Sequence, residues 1–159
     1  MAKIPGKGAV IAQYLGKLEK LCDLGFALAI HIRYTRPTLL YQTYSQAWVD
    51  HYSMKGYMLT DPTVIWGLEH VGRIRWSDLT GQDSVGVFND ALAFGLTNGS
   101  TYATGPAASR TIASAAKSGA DFTGAETDEF CRIVDAIHDA TEGFEQFPAA
   151  TQDKLRNLI

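Results

Sequence analysis

Two helix-forming segments, one near each end of the chain, are the feature that most constrains the fold. Apolar residues follow helical spacing over residues 9–24, before Gly25, and again over residues 122–140, which have an acidic start. Only a few strand-like segments lie between them, without the regular strand–helix–strand alternation that builds parallel sheets. This order predicts one α+β domain spanning residues 1–159, in which helices flank both faces of an antiparallel β-sheet as an α-β-α sandwich.

The intervening segments are short and are separated by glycine and proline. Residues 26–34 predict a strand, after which Arg36 and Pro37 predict the start of a loop. Thr60 or Asp61 can cap a helix that has Pro62 in its first turn. The other predicted elements are helices over 45–56, 62–70 and 84–96, a strand over 72–76, and a hairpin over 100–117 that turns near Gly105 and Pro106.

Composition and motifs argue against several classes of function. The chain carries 14 Lys and Arg against 17 Asp and Glu, a net charge of -3, and it has no basic run, so the sequence does not indicate a nucleic-acid surface. Its four histidines and two cysteines lack the spacing of metal ligands. Motifs for a nucleophile or a phosphate-binding loop are also missing. We therefore expect no metal, no cofactor and no catalytic residue.

The cysteines and the hydropathy pattern indicate the cellular compartment of the protein. Cys22 and Cys131 stand in apolar, helix-like contexts far apart in the chain, which is typical of buried thiols under reducing conditions. The sequence shows neither the apolar core of a signal peptide nor a stretch as long as a membrane span. The prediction is a cytoplasmic protein without membrane contact.

An aromatic segment, residues 42–67, is the best candidate for a functional site. Tyr44, Trp48 and Tyr52 recur every four residues, and each has a polar tip that needs a partner when it is buried. Asp61 is the acid among the apolar residues that follow. Helix capping explains Asp61 most simply. Alternatively, Asp61 accepts a ligand N–H inside an apolar cavity, while Tyr44 and Trp48 donate to ligand carbonyls.

This segment resembles the ligand-binding domain of LuxR-type quorum-sensing receptors, which bind acyl-homoserine lactones. The resemblance extends from Gly25 to Gly99, and more loosely to Ser118. Its pattern consists of Tyr44, Trp48, Tyr52, Asp61-Pro62, Trp76 in "RIRWSDL", and Gly95 and Gly99 in "FGLTNG". A spaced set of this kind is much more specific than any single motif in it.

The resemblance implies a role for each matching residue. Trp48 would donate to the lactone carbonyl, Asp61 would accept the amide N–H, and Tyr44 would donate to the acyl carbonyl. Tyr52 and Trp76 would form walls around the ligand. Further lining residues and hydroxyl groups near the head group would be Thr63, Val64, Val87, Ala91, Leu96 and Ser114.

The resemblance also implies partners. Receptors of this type form homodimers and bind DNA through a C-terminal helix-turn-helix domain, which we expect to be absent from this chain. The segment "PAATQDKLRNLI" is similar to the opening of such a domain. The chain is then either an excised ligand-binding domain or a natural stand-alone domain that blocks a full-length receptor by pairing with it.

Three questions stay open from the sequence alone. A lactone- or amide-acting enzyme would use Asp61 as a general base. In a plain interaction module, the aromatic residues would only fill a core. Alanines in the predicted strands indicate either a roomy cavity for a long acyl group or close helix packing; they are Ala27, Ala29, Ala113, Ala115 and Ala116.

Overall fold

The computed structural model describes residues 6–159 and consists of helices and strands in an order close to the predicted one. The helices are α1 (Lys7–Leu21), α2 (Gln46–Met54), α3 (Pro62–Glu69), α4 (Val87–Ala93), α5 (Gly124–Ala140) and α6 (Ala149–Arg156). The strands are β1 (Gly25–Arg33), β2 (Arg36–Gln42), β3 (Gly72–Arg75), β4 (Ser100–Thr104) and β5 (Arg110–Ala116).

The five strands form one antiparallel sheet in the order β2-β1-β5-β4-β3. Helices cover both of its faces, so the predicted α+β class is confirmed. The sheet joins strands that are distant in sequence, because β1 pairs with β5 at its centre. The hairpin predicted over residues 100–117 is present as β4 and β5.

One predicted element was wrong, because Arg36 and Pro37 begin strand β2 and do not begin a loop. Proline normally argues against a strand because it cannot donate to the ladder. Within residues 6–159, strand β2 lies at the edge of the sheet and pairs only with β1. An edge strand tolerates proline, since one side of its backbone needs no partner.

Helix α4 is shorter than the predicted 84–96, because its ends are fixed by local contacts. The carboxylate of Asp83 accepts the backbone N–H groups of Gly86, Val87 and Phe88 at 2.8–3.1 Å, which sets the start of the helix. At the other end, Gly95 has a φ of 86°, a left-handed value that suits glycine and ends the helix.

We call the sheet face covered by α1, α5 and α6 the closed face. Its core is continuous and apolar, with Phe26, Leu28 and Ile30 of β1 packed against the helices. Cys22 is buried in this core, and burial raises the pKa of its thiol to about 12. Both cysteines are free thiols. The helix side of the core is made by Ile11, Leu15 and Leu18 of α1, by Phe130, Ile133, Val134 and Ile137 of α5, and by Leu155 of α6.

The C-terminal segment packs on this closed face. Helix α6 buries Leu155 completely, and the hydroxyl of Tyr41 in β2 donates to the Leu155 carbonyl at 2.6 Å. The segment that resembles the opening of a DNA-binding domain is helical as far as Arg156. Its contacts make it an integral part of this domain's core.

Candidate functional site

The opposite face of the sheet, which we call the cavity face, is covered by α2, α3 and α4. A cavity of about 590 Å³ lies between these helices and strands β1, β2 and β5. All but one of the predicted site residues line it: Tyr44, Trp48, Tyr52, Asp61, Thr63, Val64, Trp76, Val87, Ala91 and Ser114. The exception, Leu96, is buried in an adjoining cluster with Val87, Ala91 and Trp48.

Helix α2 presents two aromatic side chains to the cavity. The helix begins after Ser45, whose hydroxyl accepts the backbone N–H of Trp48 at 3.3 Å and caps the first turn. Trp48 and Tyr52 are four residues apart and therefore share one face of the helix, with ring centroids 5.8 Å apart. His51 holds α2 to α4 through a 2.9 Å contact between its Nε2 and Asp90 Oδ2.

Asp61 both caps helix α3 and faces the cavity. Its Oδ1 accepts the backbone N–H of Thr63 at 2.9 Å and the Thr63 hydroxyl at 2.8 Å. Its Oδ2 accepts the hydroxyl of Tyr52 at 2.8 Å. Burial raises the pKa of the Asp61 carboxyl, against the lowering effect of these hydrogen bonds. The capping prediction is confirmed. An ionised carboxylate has about four lone-pair sites, so Oδ2 can still accept one more donor.

Tyr44 carries a buried polar atom that the protein leaves unsatisfied. Its hydroxyl oxygen is buried and has no hydrogen-bond partner among residues 6–159. Burial raises the pKa of this phenol well above its usual range, so the group is a neutral hydroxyl that can donate. An unsatisfied buried hydroxyl costs on the order of 1–3 kcal/mol. The hydroxyl therefore favours any molecule that brings an acceptor to it.

Trp76 forms one wall of the cavity and is held rigidly. Its indole N–H donates to the hydroxyl of Thr101 at 3.1 Å, and that hydroxyl lies 2.7 Å from the Ser114 hydroxyl. Gly99 supports the ring from below, because a Cβ at this position would lie 1.8 Å from the indole. The polar tip of Trp76 is thus satisfied within the protein, which makes Trp76 a wall rather than a donor to the cavity.

Part of the cavity was not anticipated from the sequence. Strand β2 contributes Pro37 and Leu40, which the predicted loop concealed. Helix α3 contributes Ile65 and Leu68, which helical spacing places on the same side as Asp61. The further unpredicted lining residues include Ile32, Met58, Leu59, Phe88 and Ile112. Ala27 and Ala29, for which the sequence left a cavity or close helix packing open, also line it.

The described residues form neither a metal-binding cluster nor a membrane-spanning helix. Within residues 6–159, no group of three or more His, Cys, Asp or Glu side chains is arranged to hold a metal ion. None of the helices in the same residues is long and apolar enough to span a membrane.

Comparison with protein families agrees with the fold and the cavity. Residues 22–141 match the model of the autoinducer-binding domain. The chain therefore belongs to this family, the ligand-binding domains of LuxR-type quorum-sensing regulators.

One curated relative is the HTH-type quorum-sensing regulator RhlR of Pseudomonas aeruginosa, 37% identical over 71 residues. The matched segment is 44% of this chain and 30% of RhlR, so the comparison covers less than half of either protein.

Two solved structures share the fold at low identity. SdiA of Escherichia coli, in complex with octanoyl-rac-glycerol, superposes with a TM-score of 0.67 at 20% identity, over 90% of this chain and 62% of SdiA. CepR2 of Burkholderia cenocepacia, an N-acylhomoserine lactone-dependent LuxR family transcription factor, gives a TM-score of 0.64 at 14% identity, over 89% and 86% of the two chains.

Proposed function

We propose that this domain is the sensor of a quorum-sensing regulator and binds an N-acyl-homoserine lactone in the cavity. The observation that carries the proposal is the buried, unpartnered hydroxyl of Tyr44 on the same cavity as the carboxylate of Asp61. A free donor and an acceptor with spare capacity match the carbonyl and the N–H of an amide. The rest of the lining is mostly apolar, which suits an acyl chain.

Each polar group has one task in this proposal. Asp61 Oδ2 accepts the amide N–H, and Tyr44 donates to the acyl carbonyl. The indole N–H of Trp48, which makes no hydrogen bond within residues 6–159, donates to the lactone carbonyl. Tyr52, Thr63, Val64, Trp76, Val87, Ala91 and Ser114 line the space around these groups, and Leu96 supports them from the adjoining cluster. The ligand is the only small molecule required, without a cofactor.

The structural relatives support an acyl ligand. SdiA was solved with octanoyl-rac-glycerol, which carries a fatty chain on a polar head, and CepR2 is described as N-acylhomoserine lactone-dependent. The cavity of this chain combines a few polar groups with a mostly apolar lining, which suit the polar head and the fatty chain of such a ligand. A fatty chain alone would leave Asp61 and Tyr44 without new partners, so the amide head should contribute to specificity.

The contacts of Asp61 give less support to an enzyme. Three donors already hold its two oxygen atoms, two from Thr63 and one from Tyr52. A general base also needs an activated water beside it, and the proposal gives the remaining capacity of Oδ2 to the amide N–H of the ligand. The geometry is better suited to a fixed acceptor, and we therefore propose a binding function without catalysis.

Ligand binding is proposed to regulate through folding and dimerisation. The cavity and the unsatisfied Tyr44 hydroxyl make the cavity face incomplete without a ligand, so binding should order it. In a complete cytoplasmic receptor, the ordered domain would form a homodimer and control a separate DNA-binding domain. Resistance to protease and the mass by light scattering, each measured with and without ligand, test this coupling.

A thermal-shift titration of the purified domain tests the binding step. N-octanoyl-homoserine lactone should raise Tm in proportion to the logarithm of its concentration once it exceeds Kd, while homoserine lactone and octanoic acid should have little effect. Asp61→Asn should lose most of the shift, because an amide group has one oxygen instead of two. Asparagine is as good a helix cap as aspartate, so the variant should still fold.

A matched control comes from the neighbouring helix. Asp50 on α2 is exposed and bonds only to Gln46 in the described chain, so Asp50→Asn changes the same chemical group outside the cavity. Asp50→Asn should respond to the lactone like the unchanged protein. An equal shift from octanoic acid, or an undiminished shift in Asp61→Asn, would contradict the proposed recognition of the amide.

A further inference from the structure

The register of the sheet divides the floor of the cavity into rows that cross the strands. The first row contains Gln42, Ala27, Ser114 and Thr101, and it is polar. The second contains Leu40, Ala29, Ile112 and Ala103, and the third contains Pro37 and Ile32 beside Arg110. The cavity-lining side chains of the second and third rows are apolar. The floor therefore changes from polar to apolar along the direction of the strands.

A β-bulge in β1 keeps this floor continuous. Side chains alternate between the faces of a strand, so Ala27 and Ala29 would be followed on the cavity face by residue 31. The pairing of β1 with β5 shifts between Ala29 and Ile32, where His31 has a left-handed φ of 49°. The extra residue turns Ile32, in place of His31, toward the cavity.

Helix α3 forms a wall that runs along the same direction. A Cβ at Gly67 would lie 2.7 Å from the Ile112 side chain, so the middle of α3 rests on the second row. Arg110 Nη1 donates to the carbonyls of Gly67 and His70 at 2.8 Å, which fixes the end of α3 over the third row. Asp61, at the start of α3, then lies toward the polar row. The cavity is a trough with its amide-binding groups at one end.

The apolar end of the trough is wide and open. Ala29 occupies the centre of the second row with only a methyl group, while Leu40, Ile65 and Leu68 line the trough and are 50%, 43% and 40% exposed. The side chains described by the structure leave these apolar surfaces partly uncovered. Covering such surface is favourable, so the trough provides a driving force for an apolar occupant.

We propose that this trough holds an extended acyl chain of about ten carbons or more, and that Ala29 is the residue that admits it. This inference rests on the proposed function. The distance from the first to the third row is four or five residues, or roughly 13–17 Å. An extended chain covers about 3.3–3.6 Å per three bonds, so this distance corresponds to roughly eleven to fourteen bonds.

The open end also determines how affinity depends on length. Each methylene that reaches the trough should lower Kd between about twofold and fourfold. At this end of the trough the lining residues Leu40 and Leu68 are partly exposed, so we expect longer chains to project into solvent and not to meet a wall. Affinity should therefore rise from four to twelve carbons and then level off, without a penalty for additional length.

Isothermal titration with N-butanoyl-, N-octanoyl- and N-dodecanoyl-homoserine lactone tests the inference. In the unchanged protein the dodecanoyl ligand should bind most tightly. Ala29→Leu fills the second row, so it should weaken dodecanoyl binding at least tenfold while leaving butanoyl binding within about twofold. The control Ala93→Leu makes the same substitution at an exposed position of α4 outside the cavity, and it should change neither Kd.

A second variant avoids adding bulk to the sheet. Leu40→Gln, at a half-exposed position of the edge strand in the second row, should weaken dodecanoyl binding several-fold and leave butanoyl binding nearly unchanged. Equal affinity for all three lactones, or an equal loss for all three in Ala29→Leu and none in Leu40→Gln, would overturn the trough while leaving the proposed function intact. No binding of any lactone to the unchanged protein would reject the proposed function itself.

Discussion

The two faces of the sheet differ in how completely the protein fills them. On the closed face, Phe26, Leu28 and Ile30 of β1 meet a continuous apolar core. On the cavity face, the same strand shows Ala27 and Ala29 to a volume of about 590 Å³. Because side chains alternate along a strand, one stretch of sequence serves both faces. The comparison indicates that one side of the sheet is filled and supports stability, while the other side keeps a cavity for the binding proposed above.

The polar groups of the two faces differ in the same way. On the closed side, the hydroxyl of Tyr102 in β4 donates to the Asp135 carboxylate at 2.9 and 3.0 Å. On the cavity side, the hydroxyl of Tyr44 is buried without a partner among residues 6–159. A satisfied hydroxyl stabilises the fold, whereas an unsatisfied one costs free energy until a ligand arrives. The faces can therefore be distinguished by matched substitutions.

The largest expected effect is at the centre of the closed face. Phe130 of α5 is 1% exposed, so Phe130→Ala removes a whole ring from a filled core and should lower the free energy of unfolding by about 3–5 kcal/mol. Phe94, beside Trp48 on the other side, is 37% exposed, and Phe94→Ala should cost only about 1–2 kcal/mol. Urea unfolding of both variants without ligand measures the difference. A larger loss for Phe94→Ala would reverse the assignment of stability to the closed face.

A smaller effect, but one with opposite signs on the two faces, is expected for removal of a single hydroxyl. Tyr102→Phe breaks a hydrogen bond to a carboxylate and should destabilise the ligand-free domain by about 1 kcal/mol. Tyr44→Phe removes a hydroxyl that has no partner, so the ligand-free domain should be unchanged or more stable by up to about 1 kcal/mol. Urea unfolding compares the two variants directly.

Ligand binding should invert this ranking. Tyr44→Phe should weaken the binding of N-octanoyl-homoserine lactone about tenfold, because one lost hydrogen bond of about 1.4 kcal/mol corresponds to a tenfold rise in Kd. Tyr102→Phe should leave Kd unchanged. Titration calorimetry on both variants measures this. If Tyr44→Phe destabilised the ligand-free domain as much as Tyr102→Phe does, the hydroxyl would have a partner in the protein and the contrast between the faces would fail.

The sequence predicted the residues that line the cavity around Tyr44 and Asp61 better than it predicted the shape of the cavity. The spacing of Tyr44, Trp48 and Tyr52 and the start signal at Asp61 are local, and helical geometry alone places the aromatic residues on one side of α2. The pairing of β1 with both β2 and β5 joins distant segments, so it could not be read from local patterns. For that reason the edge strand carrying Pro37 was predicted as a loop.

The strand alanines show the same limit of local patterns. Ala27 and Ala29 line the cavity, whereas Ala113 and Ala115 pack in the closed core, so the set is divided between the two interpretations and the long acyl group stays a prediction. Alternation along a strand places the side chains of residues 27 and 28 on opposite faces of the sheet. Only the pairing register shows that Ala29 lies on the same face as Ile112. The bulge at His31 was equally hidden, because a left-handed histidine leaves no clear signal in sequence.

The smallest expected effect is a pH dependence on the closed side, where His138 of α5 meets the bulge of β1. The rings of His138 and His31 have centroids 4.2 Å apart, and His138 Nδ1 lies 2.6 Å from the Thr111 hydroxyl. Burial, followed by the proximity of His31, lowers the pKa of His138, against the opposite effect of Asp139, Glu142 and Asp135.

The sign of this dependence follows from proton binding. The unfolded chain binds a proton at His138 near the ordinary pKa of about 6.5, whereas the folded domain resists it until a lower pH. Stability should therefore be greatest above pH 6.5 and decline as the pH falls toward the lowered pKa of the folded state. His138→Gln should flatten this part of the profile, and the exposed His70→Gln should not. His138 does not line the cavity. Saturating lactone should therefore raise the stability of the unchanged protein at every pH without altering how steeply stability falls below pH 6.5. A steepness that depends on ligand would show that the two faces are coupled through the bulge.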